Sequence, residues 1–499
     1  MLYWRDGLDV IKHLFSNPIF ASCIDLSPYQ EYEETPQGQQ RVYGEFMSAD
    51  CAWNVQVSSV FHTVLLLITI TLQTDLPDGH SFLGVIGASD KTPLTIGMGD
   101  KEMHPLLLSI ANIHAGVRMK ATSHSFALAA YLPVPKFLSV SQPVQAVLAA
   151  RVYHHAISIV TKNLKTAAQD GMVMSDPMDR LRVIHTPLVA WIADYPEQLL
   201  IACVSSKNSP ISTATGAQFG DPNAHPPRLG KDTLQAIHAA CAACDPCDII
   251  AFHKICQQMR LNGVTEPFWE DWKNACPSFF LTPDALHQWH KFYFDHCLQW
   301  VINIITGQEL NFHLSVLQLR IGTRHWPNGV STLKQCTGRE HRALKKLLPA
   351  VSAGAIPDDT LCALRAITEF IFLAQDQFFT TKPYTPLLKH CVSSIIINPA
   401  YSLQVVVKER MGHSITFKYQ SLSWPSILCA AHGLWVLLIS GAATSPSVVI
   451  SLMSRPHSAY PIDVTTMASV VDSLIDKKNN VFSSSSPASR LRVRRYSTR

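Results

Sequence analysis

The sequence predicts an α/β fold, a mixed core of strands and helices extended by further helices and followed by a tail without regular structure. Three observations predict it. Apolar runs of strand length, bounded by turn residues, fill the front half of the chain. Behind them, from Thr282 to about Gln377, apolar residues recur at helical spacing. Beyond Gln377 that periodicity is lost, and the chain ends in the basic, serine-rich stretch KKNNVFSSSSPASRLRVRRYSTR, which reads as a solvated, disordered tail.

Taken in order, the first 56 residues read as helical and then turn-rich around PYQEYEETPQGQQ. FLGVIGASDKTPL reads as an apolar strand that delivers Ser89, Asp90 and Lys91 to its end, and HPLLLSIANI and FALAAYLPVP read as further, paired strands. AVLAARVYHHAISIVTKNLKTAAQDG has helical spacing and a stop at Gly171. VIHTPLVAWIADYPEQLLIACV is a second apolar run, with Asp194 and Glu197 at its end. Residues 204–232 are rich in Ser, Pro, Gly and Asn and read as loop, and a cysteine-bearing segment follows. TPDALHQWHKFYFDHCLQWVINIITG reads as a long helix capped by Thr282 with Pro283 at its first position. GREHRALKKLLPAVSAG and LCALRAITEFIFLAQ give two more helices. The expected divisions are an N-terminal helical segment (1–76), the first part of the core (77–203), a loop and Cys-containing insertion (204–280), a helical part (281–377) and the tail (378–499).

Composition narrows the function classes. Charged residues make up 16% of the chain, low against about a quarter in ordinary domains, and the net charge of +4 argues neither for nucleic acid nor for an anionic membrane. The 13 cysteines lack the dense spacing of a disulfide framework and read as reduced thiols or metal ligands. Arg5, Asp6 and Asp9 stand where a secretory signal needs its apolar core, so secretion is not expected. VSSVFHTVLLLITITLQ (57–73) and ILCAAHGLWVLLISGAA (427–443) imitate membrane spans but fall short of the roughly 20 apolar residues a spanning helix needs. No membrane association is expected.

Asp90 and Asp194 each end an apolar strand, and Asp284 opens a helix. Carboxylates at strand ends can converge on two divalent cations about 4 Å apart, and magnesium accepts such hard oxygen ligands. The structural alternatives are a turn cap at Asp90, a brace for the Tyr195-Pro196 turn at Asp194, and a dipole-favoured acid at Asp284. Cys241, Cys244 and Cys247, with His253 and Cys256 beyond, have metal-ligand spacing. One helix cannot aim all of them at one ion unless it breaks, and Asp245-Pro246 offers the break, so zinc on Cys247, His253 and Cys256 stands beside packed helix thiols as a reading. His287, His290 and His296 are interleaved with aromatics, the pattern of a packed helix. Arg320, Arg324, His325 and Lys334 form a modest basic patch suited to a phosphate backbone, with a solvated loop as the alternative.

These segments together resemble the Plavaka family of fungal DNA transposases, relatives of the CACTA group within the DDE superfamily. The resemblance rests on YWRDGLDVIKHLFSNPIF, RVYGEFMSADCAWN, GASDKTPLTIGMGDKEMHPLLLSIANIHAGVRMKATSHSFALAAYLPVPKF, ADYPEQLLIACVSSKNSP, RLNGVTEPFWEDW, TPDALHQWHKFYFDH and GVSTLKQCTGREH, in family order from Met1 to about Gln377. It implies a ribonuclease-H-like catalytic core, Mg²⁺ or Mn²⁺ as cofactor, DNA as partner, a nuclear location, and cleavage and strand transfer at element ends. It implies Asp90 of SDKT as the first metal-binding acid and Asp194 of ADYPEQ as the second, with Glu197 as alternate. Asp284 is the third candidate, with Glu340 of TGREH competing.

Three departures bear on function. The Cys-x-x-Cys pair that many family members carry after YPEQ is reduced to Cys203, and no Cys/His zinc finger precedes YWRD. Residues 57–73 interrupt a family segment that would run from AWNVQ almost directly into TDLPDGHSF. Val57 and Gln73 are codon-compatible with the GT and AG that bound an intron, so the segment reads as a translated intron. In the tail, FTTKPYTPLLKHCVSSI, SITFKYQSLSWPS and SPSVVISLMSRPH are codon-compatible, all in one shifted frame, with YDETLHSLTQALREFHH, DHFQIPKLELAQ and ERCHITHVKTP, the last of which resembles the family's C-terminal segment. The expectation is a derelict, pseudogene-like transposable-element protein, inactive as encoded. The alternative is a retained DNA- or protein-binding remnant.

Overall fold

The computed structural model describes residues 1–56, 79–94, 102–137, 140–219, 225–282, 285–319, 321, 324–333, 336–375, 378–380 and 493–497. Segments 57–73 and 427–443, and the side chains of Asp284, Arg320 and Lys334, lie outside these residues. Among the described residues no helix is long and apolar enough to cross a membrane.

A short strand, Tyr3–Trp4, precedes helix α1 (Gly7–Phe15), whose first turn is capped by Asp6 accepting from the Leu8 amide at 2.8 Å. Leu8, Ile11, Leu14 and Phe15 share its buried face. Strands β1 (Tyr29–Thr35) and β2 (Gly38–Tyr43) then form an antiparallel hairpin, with Glu31 opposite Val42. This corrects the turn-rich reading of PYQEYEETPQGQQ. Turn chemistry is confined to Thr35–Gly38, where the Thr35 hydroxyl donates to the Gly38 carbonyl at 2.7 Å and Gly38 takes a φ of 108°. The strands on either side are polar enough to hide their two-residue period. Helix α2 (Asp50–Gln56) follows.

Strands β3 (Val85–Ser89), β4 (Pro105–Ile110) and β5 (Ala127–Tyr131) pair antiparallel in succession, as their sequence predicts. Every residue of β3 and β4 is buried, so neither shows the alternation of a half-exposed strand. Helix α3 (Gln142–Asp170) buries Val147, Ala150, His154, Ile157, Thr161, Leu164 and Ala168 along one face, and it stops where Gly171 turns to a φ of 77°. A hairpin of β6 (Met172–Ser175) and β7 (Leu181–His185) leads to β8 (Leu188–Ile192), which pairs parallel with β3. The main sheet therefore runs Tyr3–Trp4, β5, β4, β3, β8. Of its four longer strands, the first three in the chain are antiparallel neighbours. The fourth is reached through α3 and lies parallel to the first, as a crossover connection requires.

Packing between β3 and β8 is close. Trp191 stands opposite Gly87, and a Cβ at Gly87 would come within 2.4 Å of its ring. Helices α4 (Tyr195–Ile201), α5 (Gly230–Ala243) and α6 (Ile249–Gln258) close over the same core, to which Ile237, Ala240, Phe252, Cys256, Trp269 and Trp272 contribute. The break between α5 and α6 falls at Asp245-Pro246, where the sequence places it. Three buried indoles are each satisfied: Trp191 donates to the Ser89 hydroxyl, Trp269 to the Ile201 carbonyl and Trp272 to the Thr186 carbonyl, at 2.7–3.0 Å.

A second core is built mainly by helices, with Tyr43 of β2 and Trp326 and Val330 from the connecting chain. Residues Ala285–Lys291 and Tyr293–Cys297 are wound as π-helix before α7 (Leu298–Ile305), and Thr306 at a φ of 73° separates α7 from α8 (Gly307–Ser315). Helices α9 (Gly338–Ser352) and α10 (Asp358–Leu373) complete it around Trp289, Tyr293, Val301, Leu344 and Leu364. The expected single long helix is thus wider than α over its first turns and ends at Ile305. Two pieces of the tail also depart from the structureless expectation. Phe379–Thr380 pairs with β2, and Val493–Ser497 pairs antiparallel with β1, with Arg495 opposite Glu31.

Candidate metal centre at the strand ends

The parallel register of β3 and β8 sets Ala88 beside Ile192. Asp90 and Asp194 each lie two residues further on, so two carboxylates leave the sheet at the same end from neighbouring strands about 4.8 Å apart. Asp194 is also the N-cap of α4, its Oδ1 accepting from the Glu197 amide at 2.9 Å. The structural role of Asp194 is thus a helix cap, in place of the turn brace weighed for it, and it coexists with the strand-end position.

Glu197 is placed differently. Its side chain is 7% exposed and sits under the strand ends. Both carboxylate oxygens lie 3.1 Å from His104 Nε2, and Oε1 accepts from the Tyr153 hydroxyl at 2.7 Å and from the Ser89 hydroxyl. Burial by itself raises its pKa. The neighbouring His104, together with hydrogen bonds from His104, Ser89 and Tyr153, outweighs burial and holds the carboxyl below its usual range. Tyr153 is pushed well above the ordinary phenol range by burial and by the Glu197 charge, so it remains a donor.

The third acid is approached only by the chain that leads to it. Leu281 bridges to Trp191 in parallel, and Gln198 donates to the Thr282 carbonyl at 2.6 Å. This holds the segment before Asp284 beside β8 and α4, while Asp284 itself lies outside the described residues. Glu340 belongs to the helical core. It closes a capping box with Thr337 at the start of α9 and pairs with Arg324 at 2.9 Å. The hydrogen bonds from Thr337, helped by Arg324 against a small burial penalty, lower its pKa. Arg324, besides that pair, stacks over Trp326 at 5.3 Å. Of the basic patch, Arg324 and His325 are among the described residues, and the arginine already has an acid and an aromatic face.

Among the described residues no group of three His, Cys, Asp or Glu side chains is arranged to hold a metal ion. Cys247 is exposed and Cys256 fully buried, with its thiol pushed up to about 11 by burial, so the zinc candidates with His253 do not present a common face. His154, beside Cys203, uses both ring nitrogens on the Leu200 carbonyl and the Phe268 amide, and burial pushes it down to about 4. His290 is likewise engaged by Lys345 and Gln375. The residues that sequence reasoning missed are His104 and Tyr153. Their one signal was a polar tip inside an otherwise apolar strand start and helix face.

The fold is a mixed α/β core with Asp90 and Asp194 following the ends of adjacent parallel strands. Residues 1–301, more than half of the chain, match the sequence model of the Plavaka transposases, and the chain belongs to that family. Among curated proteins no match is found.

Proposed function

We propose that this transposon-derived chain carries a ribonuclease-H-like core of a metal-dependent DNA transposase, and that it is inactive as encoded. The observation that carries the reading is the pairing of Ala88 with Ile192, which brings Asp90 and Asp194 out side by side. The strand order, with the fourth strand parallel to the first and reached from the third through α3 and the β6–β7 hairpin, supports it as well. Magnesium or manganese suits the donor set, since both groups are carboxylates at neighbouring strand ends. Such an ion pair, when bound, activates water and stabilises a leaving phosphate oxygen. Asp90 and Asp194 would hold it, Asp284 would complete it, and Gln198 fixes the chain that carries Asp284. The DNA is that of the element ends and the compartment is the nucleus, readings supported by family membership.

Inactivity follows from the insert 57–73 and the shifted frame beyond Gln377, and one structural feature supports it. The indole N–H groups of Trp289, Trp300 and Trp326 are buried in the helical core without an acceptor among the described residues. That is the state expected of a core whose closing segment has been replaced. The test is nicking of duplexes carrying the element ends in Mg²⁺ or Mn²⁺. The chain as it stands is expected to leave them intact. A chain without 57–73 and with the frame restored after Gln377 is expected to cut, and Asp90→Asn to lower that rate by about 100-fold or more. Cutting by the unrestored chain would contradict inactivity. Indifference of the restored chain to Asp90→Asn would contradict the site.

A further inference from the structure

We infer that Glu197, with Ser89, His104 and Tyr153, is a positioning clamp that sets the separation of Asp90 and Asp194, and that Glu197 is not itself a metal ligand; this rests on the metal-site reading above. Glu197 is tied to Asp194 directly and to Asp90 through the residue before it. Its carboxylate accepts from Ser89, the residue bonded to Asp90, and its own amide donates to Asp194 Oδ1 at 2.9 Å. Four elements converge on that one carboxylate: Ser89 ends β3, His104 stands just before β4, Tyr153 lies on α3 and Glu197 on α4. His104 is anchored in turn, its carbonyl accepting from the Leu132 amide at 2.7 Å. Ser89 is fixed from its other side by the Trp191 indole at 2.8 Å.

Lone-pair accounting argues against ligation. A carboxylate offers about four acceptor sites, and here three donors already use it: a serine and a tyrosine on Oε1 and a histidine shared between both oxygens. A cation would have to displace bonds within a cluster whose members are all less than a tenth exposed. The hydroxyl of Ser89 and the carboxylate of Glu197 instead tie the shoulders of the two acids together, in the way outer residues orient the direct ligands of a metal.

The test is Mn²⁺ titration of the full chain by calorimetry and electron paramagnetic resonance, with urea midpoints as a folding control. Ser89→Ala and Tyr153→Phe remove no carboxylate, yet each is expected to weaken Mn²⁺ about 10-fold with the number of bound ions unchanged. Ser89→Thr, which restores a hydroxyl, is expected to recover most of the affinity. Glu197→Gln is expected to behave like Ser89→Ala, whereas Asp90→Asn loses a bound ion. Loss of an ion in Glu197→Gln would make Glu197 a ligand and overturn the clamp. Unchanged affinity in Ser89→Ala and Tyr153→Phe would overturn it too, with the metal site standing. If Asp90→Asn leaves Mn²⁺ binding unaltered, the metal reading falls and the clamp with it.

Discussion

At Gly87 the absence of a side chain lets the Trp191 indole lie flat against the neighbouring strand, with no room for one more carbon. Gly87→Ala is expected to cost about 1–3 kcal/mol through overpacking, read as a lower urea midpoint at unchanged slope. A second residue reports on pH. Lys345 is fully buried, its ammonium nitrogen 2.7 Å from His290 Nδ1 and over the Phe372 ring. Burial, with Arg342 and Lys346 nearby and only Cys297 opposing, pushes it down to about 6. Burial and the same lysine push His290 down to about 3. The unfolded chain protonates this lysine up to its ordinary range near 10.5, while the folded chain releases the proton from about pH 6 upward. The lysine's contribution to stability therefore rises with pH across that window and is constant below it, while His290, protonated up to its ordinary 6.5 in the unfolded chain, adds a rise from about pH 3. Lys345→Met is expected to remove up to about 1.4 kcal/mol per pH unit of that slope, measured by urea unfolding at several pH values. An unchanged slope would place the titration elsewhere. Asp90 and Asp194 were legible in the sequence because a strand end is a local property. The Glu197 cluster was not, because its partners lie 44 to 108 residues away along the chain and meet only in the fold.

Among elements, the strands of the main sheet and helix α3 could be read from apolar runs and the Gly171 stop, since burial dictates both. The β1–β2 hairpin escaped because its strands carry Glu and Gln in place of apolar residues, so composition imitated a turn. The π-wound stretch before α7 escaped for another reason. Its aromatics have ordinary helical spacing, which does not distinguish π from α winding. Helix α9 offers a direct check on the role of Glu340. Thr337→Ala is expected to cost about 1 kcal/mol by opening the capping box, visible as a lower urea midpoint. Glu340→Gln is expected to leave Mn²⁺ binding as it was. A lost ion in Glu340→Gln would transfer the third acid from Asp284 to this helix.

For the molecule as a whole, the proposed function rests on family membership and on the strand-end positions of Asp90 and Asp194, and the proposed inactivity rests on the insert and the shifted frame. Removing 57–73 is expected to leave the urea midpoint unchanged or higher if the segment is the insert proposed above. A fall equivalent to about 1 kcal/mol or more would make it a working part of the fold. The most direct test of the central claim is Mn²⁺ titration of the full chain beside Asp194→Asn. Asparagine caps a helix as well as aspartate does, so α4 and the urea midpoint should be preserved while the carboxylate is lost. The account predicts loss of a bound ion in a variant that folds as before. Retention of the same ion count and affinity would contradict it.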